Sequence, residues 1–128
     1  MTDPRRDLLR KYAPPKQYRG QHKGQRKRTF PISYSTPEGT RQMNVSYVPE
    51  ESGDVLGTLD GLCKKMNRSR SEVTRLCVCW ADLSTAATMA DGFEDAVPAL
   101  ADYLNTTKSG AVVAAVLAYK EYTDAQDH

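Results

Sequence analysis

The chain has 128 residues, with 18 Lys/Arg against 16 Asp/Glu and a formal charge of +2. That length suits one compact domain and excludes two large ones, and no apolar run approaches the roughly 18 residues of a membrane span. The charge is uneven: residues 1–28 hold ten Lys/Arg and two acids, a net of +8, while residues 29–128 hold eight and fourteen, a net of −6. Such an asymmetry suits a tail that seeks a polyanion, joined to a mildly acidic body. The charged start, with no apolar stretch behind it, does not read as a secretory leader. Three cysteines in no scaffold spacing point to a reducing cytoplasm as the expected compartment.

Residues 1–28 contain Pro14-Pro15, Gly20, Gly24 and ten basic side chains, and only Leu8, Leu9, Tyr12 and Tyr18 are able to pack. A segment so poor in apolar area does not offset its ordering entropy, so it is expected to be a basic arm disordered when free, with Asp7 to Tyr12 able to form one helical turn on a partner. From residue 29 the pattern changes. Phe30, Ile32 and Tyr34 alternate with polar residues, Thr36-Pro37-Glu38-Gly39 reads as a turn, and Met43, Val45 and Tyr47 alternate again. This predicts an antiparallel hairpin over 29–48, with Pro31 weakening the first strand. The two strands echo each other, Phe-Pro-Ile-Ser-Tyr at 30–34 against Met-Asn-Val-Ser-Tyr at 43–47.

The remainder reads helical. Val55, Leu59, Leu62 and Met66 recur at helical spacing. Ser69-Arg70-Ser71-Glu72 has the form of a capping box, in which Ser69 and Glu72 each satisfy the other's backbone amide. Val73, Leu76, Cys77 and Trp80 continue that helix, so a first helical unit is expected over 53–83. A second, over 91–123, carries Phe93, Val97, Leu100 and Leu104, with Pro98 expected to kink the helix or mark its start. It ends in a helix from Lys108 to about Tyr122 that is apolar nearly all round, as a buried central helix is. A shift of 38 residues lays one unit on the other: Val55 on Phe93, Leu59 on Val97, Leu62 on Leu100, Asn67 on Asn105, Arg70 on Lys108, Ser71 on Ser109.

The order strand (Arg41 to Tyr47), Val48-Pro49-Glu50-Glu51, helix, then Arg68-Ser69-Arg70-Ser71-Glu72 opening a second helix resembles the ribbon–helix–helix family of DNA-binding proteins. The resemblance covers about residues 41–83. It implies a mainly α fold with a small antiparallel β-ribbon, either duplicated as a single-chain pseudo-dimer or completed by a second copy of the chain. It further implies a ribbon lying in the major groove of double-stranded DNA. Gln42, Asn44 and Ser46 would then contact bases, and Arg41, Arg68, Ser69, Arg70, Ser71 and Arg75 would contact phosphates. Arg19, Lys23, Arg26, Lys27 and Arg28 would add the non-specific grip of the arm, with the steep salt dependence of phosphate binding. The roles that follow are transcriptional repression, plasmid or phage maintenance, or accessory work in DNA transfer, in the cytoplasm at the nucleoid or a plasmid. The second unit keeps Thr107-Lys108-Ser109 but has Gly110 and Val113 where the first has Glu72 and Arg75, so weaker phosphate binding is expected there.

The competing expectation is an antitoxin-like protein-interaction module, or an RNA-binding protein whose arm holds nucleic acid loosely. No enzyme, cofactor or metal site is expected: residues 29–127 contain no histidine, and a Cys77-x-Cys79 pair on a helix points its thiols about 200° apart.

Overall fold

The computed structural model describes residues 4–15, 26–81 and 93–126. Its elements are α1 (Pro4–Tyr12), β1 (Arg28–Thr36), β2 (Gly39–Tyr47), the single turn α2 (Pro49–Ser52), α3 (Val55–Met66), α4 (Arg70–Ala81), α5 (Phe93–Leu104) and α6 (Lys108–Gln126). The described residues are mainly helical with one two-stranded antiparallel sheet.

The hairpin forms where the alternation predicts it. Phe30 lies opposite Val45, Pro31 opposite Asn44 and Ile32 opposite Met43. Gly39, at φ 128°, takes the left-handed position of the connecting turn, and the Thr36 hydroxyl donates to its carbonyl at 2.8 Å. The alternation buries Phe30, Ile32, Val45 and Tyr47 against the helices, with the rings of Phe30 and Tyr47 edge to face at 6.2 Å. Pro31 is tolerated because the sheet has only two strands, so its missing N–H faces no neighbour.

The helices repeat local devices 38 residues apart. Asn67 and Asn105 end α3 and α5 in the left-handed conformation, at φ 55° and 53°. The amides of Arg68 and Thr106 then bond back to the carbonyls of Cys63 and Ala101, at 3.1 and 3.0 Å, a closing pattern that satisfies helix-end carbonyls. Ser69 and Thr107 open α4 and α6, their hydroxyls accepting the amides of Glu72 at 3.2 Å and Gly110 at 3.0 Å. The packing repeats too: α3 lies on α4 and α6, α5 lies on α6 and α4, α4 lies on β1 and α6 on β2. α5 begins at Phe93 and runs through Pro98, so the proline does not mark the start. It leaves only the carbonyl of exposed Glu94 without its helical partner.

α6 is the centre. Its residues Gly110 to Val116, and Ala118, are all buried, among α1, α3, α4, α5 and β2. This position explains why the segment is apolar on every side.

The expectation of a disordered arm over 1–28 is corrected for its first part. Pro4–Tyr12 is a helix docked along α6, and Leu9 is fully buried. Polar contacts hold it in place: Arg5 donates to the Trp80 carbonyl at 3.1 Å, and Lys11 and Tyr12 both donate to Glu121 Oε1 at 2.7 Å. That shared carboxylate is held below the usual range by its two donors, Lys11 first. Three apolar side chains do not order a free peptide, but an apolar face of α6 left open by the other elements supplies the missing partner. The Thr106 hydroxyl then donates to the Pro14 carbonyl at 2.7 Å. Gly110 permits that approach, since a Cβ there would stand 2.2 Å from Thr106 Oγ1 and 3.0 Å from Pro14 Cγ. Residues 84–90, between the two expected helical units, lie outside the described residues.

Candidate nucleic-acid interface

The alternation that buries one face of the ribbon turns the other outward. Thr29, Pro31, Ser33 and Ser35 of β1 stand beside Ser46, Asn44, Gln42 and Thr40 of β2 in the ladder. All are exposed except Ser33 and Ser46, which are half-buried. This outer face carries no charge. Its only internal side-chain bond joins Thr29 Oγ1 and Ser46 Oγ at 3.1 Å. The three expected base-contact residues, Gln42, Asn44 and Ser46, therefore share one outward strand face. The β1 residues beside them were missed by sequence reasoning, although the echo between the strands marks their positions.

Both strands are edges, and the starts of α4 and α6 cap them. The amide of Ser33 donates to Ser71 Oγ at 2.9 Å, and the amide of Ser46 donates to Ser109 Oγ at 3.1 Å. Each hydroxyl satisfies an edge N–H that would otherwise invite another strand. Ser71, expected at a phosphate, thus has its acceptor oxygen engaged by the ribbon.

The expected phosphate contacts are present at the surface but not as free charges. Arg70 makes a bidentate pair with Asp60 of α3, at 2.7 and 2.9 Å. This pair holds the Asp60 carboxyl below its usual range, chiefly through the hydrogen bond from Arg70. Arg68 meets Glu72 at 3.5 Å. Glu72 in turn accepts from the Ser69 amide at 3.3 Å and the Ser69 hydroxyl at 3.0 Å, and these bonds depress its carboxyl. The reciprocal capping pair is therefore complete, and it places a carboxylate where an anion would sit at the start of α4. Arg75 Nε donates to the Ser71 carbonyl at 3.2 Å. Arg41 follows the inward parity of β2 and pairs at the hairpin tip with Glu94 at 2.9 Å and Glu38 at 3.8 Å. Of the four arginines expected at phosphates, Arg41, Arg68 and Arg70 thus each have a carboxylate partner and Arg75 bonds a backbone carbonyl. Exposed pairs of this kind contribute only about 0–1 kcal/mol, so a phosphate competes with them on nearly equal terms.

Other cations are without such partners. Arg26, Lys27, Arg28 and Lys108 are exposed and make no ion pair among the described residues. Lys27 lines a cleft of about 210 Å³ with Ser46, Thr107, Ser109 and Gly110, at the start of α6. Lys108, aligned with Arg70 in the 38-residue repeat, opens α6, where the weaker phosphate binding is expected. Arg19 and Lys23 lie outside the described residues.

Cys77 is buried and its thiol is pushed far up by that burial. Among the described residues no group of three or more His, Cys, Asp or Glu is placed to hold a metal, and no helix is long and apolar enough to cross a membrane. Neither a family model, nor a curated protein, nor a solved structure matches this chain.

Proposed function

We propose that this chain is a sequence-selective double-stranded DNA-binding protein of the ribbon–helix–helix type, built as a single-chain pseudo-dimer. One observation carries the reading. A two-stranded antiparallel ribbon presents an outer face made wholly of uncharged, mostly short residues, while its inner face is sealed into the core. A ribbon of this width fits the major groove, where each base pair shows a distinct pattern of donors and acceptors. Gln42, Asn44 and Ser46 would read bases. The starts of α4 and α6 flank the ribbon on opposite edges, and Arg68, Ser69, Arg70, Ser71, Arg75 and Lys108 would lie against phosphates there. Arg26, Lys27 and Arg28 would contribute the salt-dependent, sequence-independent grip. Repression, plasmid or phage maintenance and accessory DNA transfer are the roles open to such a protein, at the nucleoid or a plasmid in the cytoplasm.

The acid partners of Arg41, Arg68 and Arg70 favour a second reading, a protein-interaction module in which these charges serve the fold. A duplex shift assay separates the two. Asn44→Ala and Gln42→Ala should each lower discrimination between selected and random duplex by about 5–150-fold, the equivalent of ~1–3 kcal/mol per lost contact. Arg70→Ala should weaken binding to every duplex alike. Selectivity and affinity unchanged in all three variants would remove the DNA reading and leave the interaction module.

A further inference from the structure

Resting on the DNA-binding reading, we infer that the duplex selected by this chain lacks two-fold symmetry: one chain reads two unlike half-sites in a single orientation.

The inference begins from the ribbon's own geometry. A shift of 13 residues carries β1 onto β2 (Phe30 to Met43, Ile32 to Val45, Ser33 to Ser46) and leaves the ladder register unchanged. Pro31 and Asn44 are both equivalent under that shift and paired in the ladder, so the pseudo-dyad passes between them. The contacts beneath obey the same relation. Ser71 takes the Ser33 amide and Ser109 takes the Ser46 amide, related by 38 residues on the helices and 13 on the strands.

When two identical strands form such a ribbon, both half-sites meet the same side chains, and the best duplex is a palindrome. Here only Ser33 and Ser46 match on the outer face. Gln42 and Asn44 each carry an amide able to donate and accept together, as recognition of adenine requires. Their equivalents are Thr29, whose hydroxyl is already bonded to Ser46, and Pro31, whose ring has no polar atom. The half toward the hairpin tip presents Gln42 beside Ser33; the half toward the ribbon's open end presents Thr29 beside Ser46.

The flanks differ in the same sense. α4 opens with Glu72 in its capping pair and with Arg68 and Arg70 held by acids. α6 opens with Gly110 in place of that carboxylate and with Lys108, which makes no ion pair among the described residues. Base-reading amides therefore lie on β2, with Gln42 toward the hairpin tip, and the less opposed positive charge lies at the start of α6.

Selection of the full-length chain against a random duplex pool tests this, with the mass of the bound complex measured alongside. A non-palindromic motif occupied by one chain is the expected result. Wild type should prefer it to either derived palindrome by about 5–150-fold, the range a bidentate base contact provides. Thr29→Gln with Pro31→Asn, both at exposed positions, makes β1 match β2 and should move the selected motif toward a palindrome. Gln42→Thr should erase selection in one half only. A palindromic wild-type motif, or a motif unmoved by the double variant while its circular dichroism stays native, overturns the inference and leaves the DNA reading standing. A pool in which no sequence is enriched removes the DNA reading and this inference together.

Discussion

Thr74 offers the sharpest test of the packing. It lies on α4, fully buried, and its hydroxyl has no hydrogen-bond partner. A helical threonine can bond a carbonyl three or four residues back, and this one does not. The position 38 residues on is Val112, equally buried. Thr74→Val replaces the hydroxyl with a methyl of nearly the same size. An unpartnered buried hydroxyl costs about 1–3 kcal/mol by protein mutational data, the added methyl contributes up to ~0.8 kcal/mol, and the two residues have nearly equal helix propensity. A net gain of about 1–4 kcal/mol is expected. In urea, with a slope of roughly 1–3 kcal/mol/M, each 1 kcal/mol gained raises the midpoint by roughly 0.3–1 M at constant slope. Thr74→Ser keeps the hydroxyl and loses a methyl, so it should be destabilising. A valine variant no more stable than wild type, or less stable than the serine variant, would refute the reasoning.

Four further outcomes are expected. Leu9→Ala should cost about 2–5 kcal/mol in denaturant unfolding; a neutral result would mean that α1 does not dock. Gly61→Ala, at an exposed helical position where a Cβ meets nothing within 4 Å, should add about 0.5–1 kcal/mol, whereas Gly110→Ala should destabilise through the clash with Thr106 and Pro14. The carboxyls of Asp60, Glu72 and Glu121 are all held below their ordinary values. Their contribution is therefore complete above the unfolded carboxylate range near pH ~4 and is lost as the pH falls through the folded values. Glu72→Gln should make that acid loss of stability shallower in a series of unfolding curves. Finally, the Cys77 thiol should resist a thiol-specific chromogenic reagent at pH 8 until the chain is unfolded; rapid titration of Cys77 in a variant lacking Cys63 and Cys79 would contradict its burial.

Much of the architecture was legible because its determinants are local. The hairpin follows from period-2 alternation closed by a glycine turn, and the helix starts follow from Ser69 with Glu72 and from Thr107. The 38-residue repeat was visible as a few aligned side chains, and the paired left-handed asparagines give it physical content. α1 was legible only as one turn, Asp7 to Tyr12, awaiting a partner, since its stability comes from a surface of α6 about a hundred residues away in sequence. The same distance hid the charge pairing: nothing local to Arg41 announces Glu94, and Asp60 meets Arg70 only after the chain reverses at Asn67. The outward-facing residues of β2 could be assigned from parity alone. Their β1 neighbours needed the register, which places Pro31 opposite Asn44.

The turn at Thr36–Gly39 has a kinetic and thermodynamic consequence. Closing a two-residue loop costs little chain entropy, and it makes ribbon formation a unimolecular event. A ribbon assembled from separate chains comes apart on dilution, because its stability includes the concentration of its partner. A ribbon closed within one chain should not: its folded fraction and its unfolding midpoint are expected to stay flat from nanomolar to micromolar protein. A cell holding only a few copies would still hold them folded.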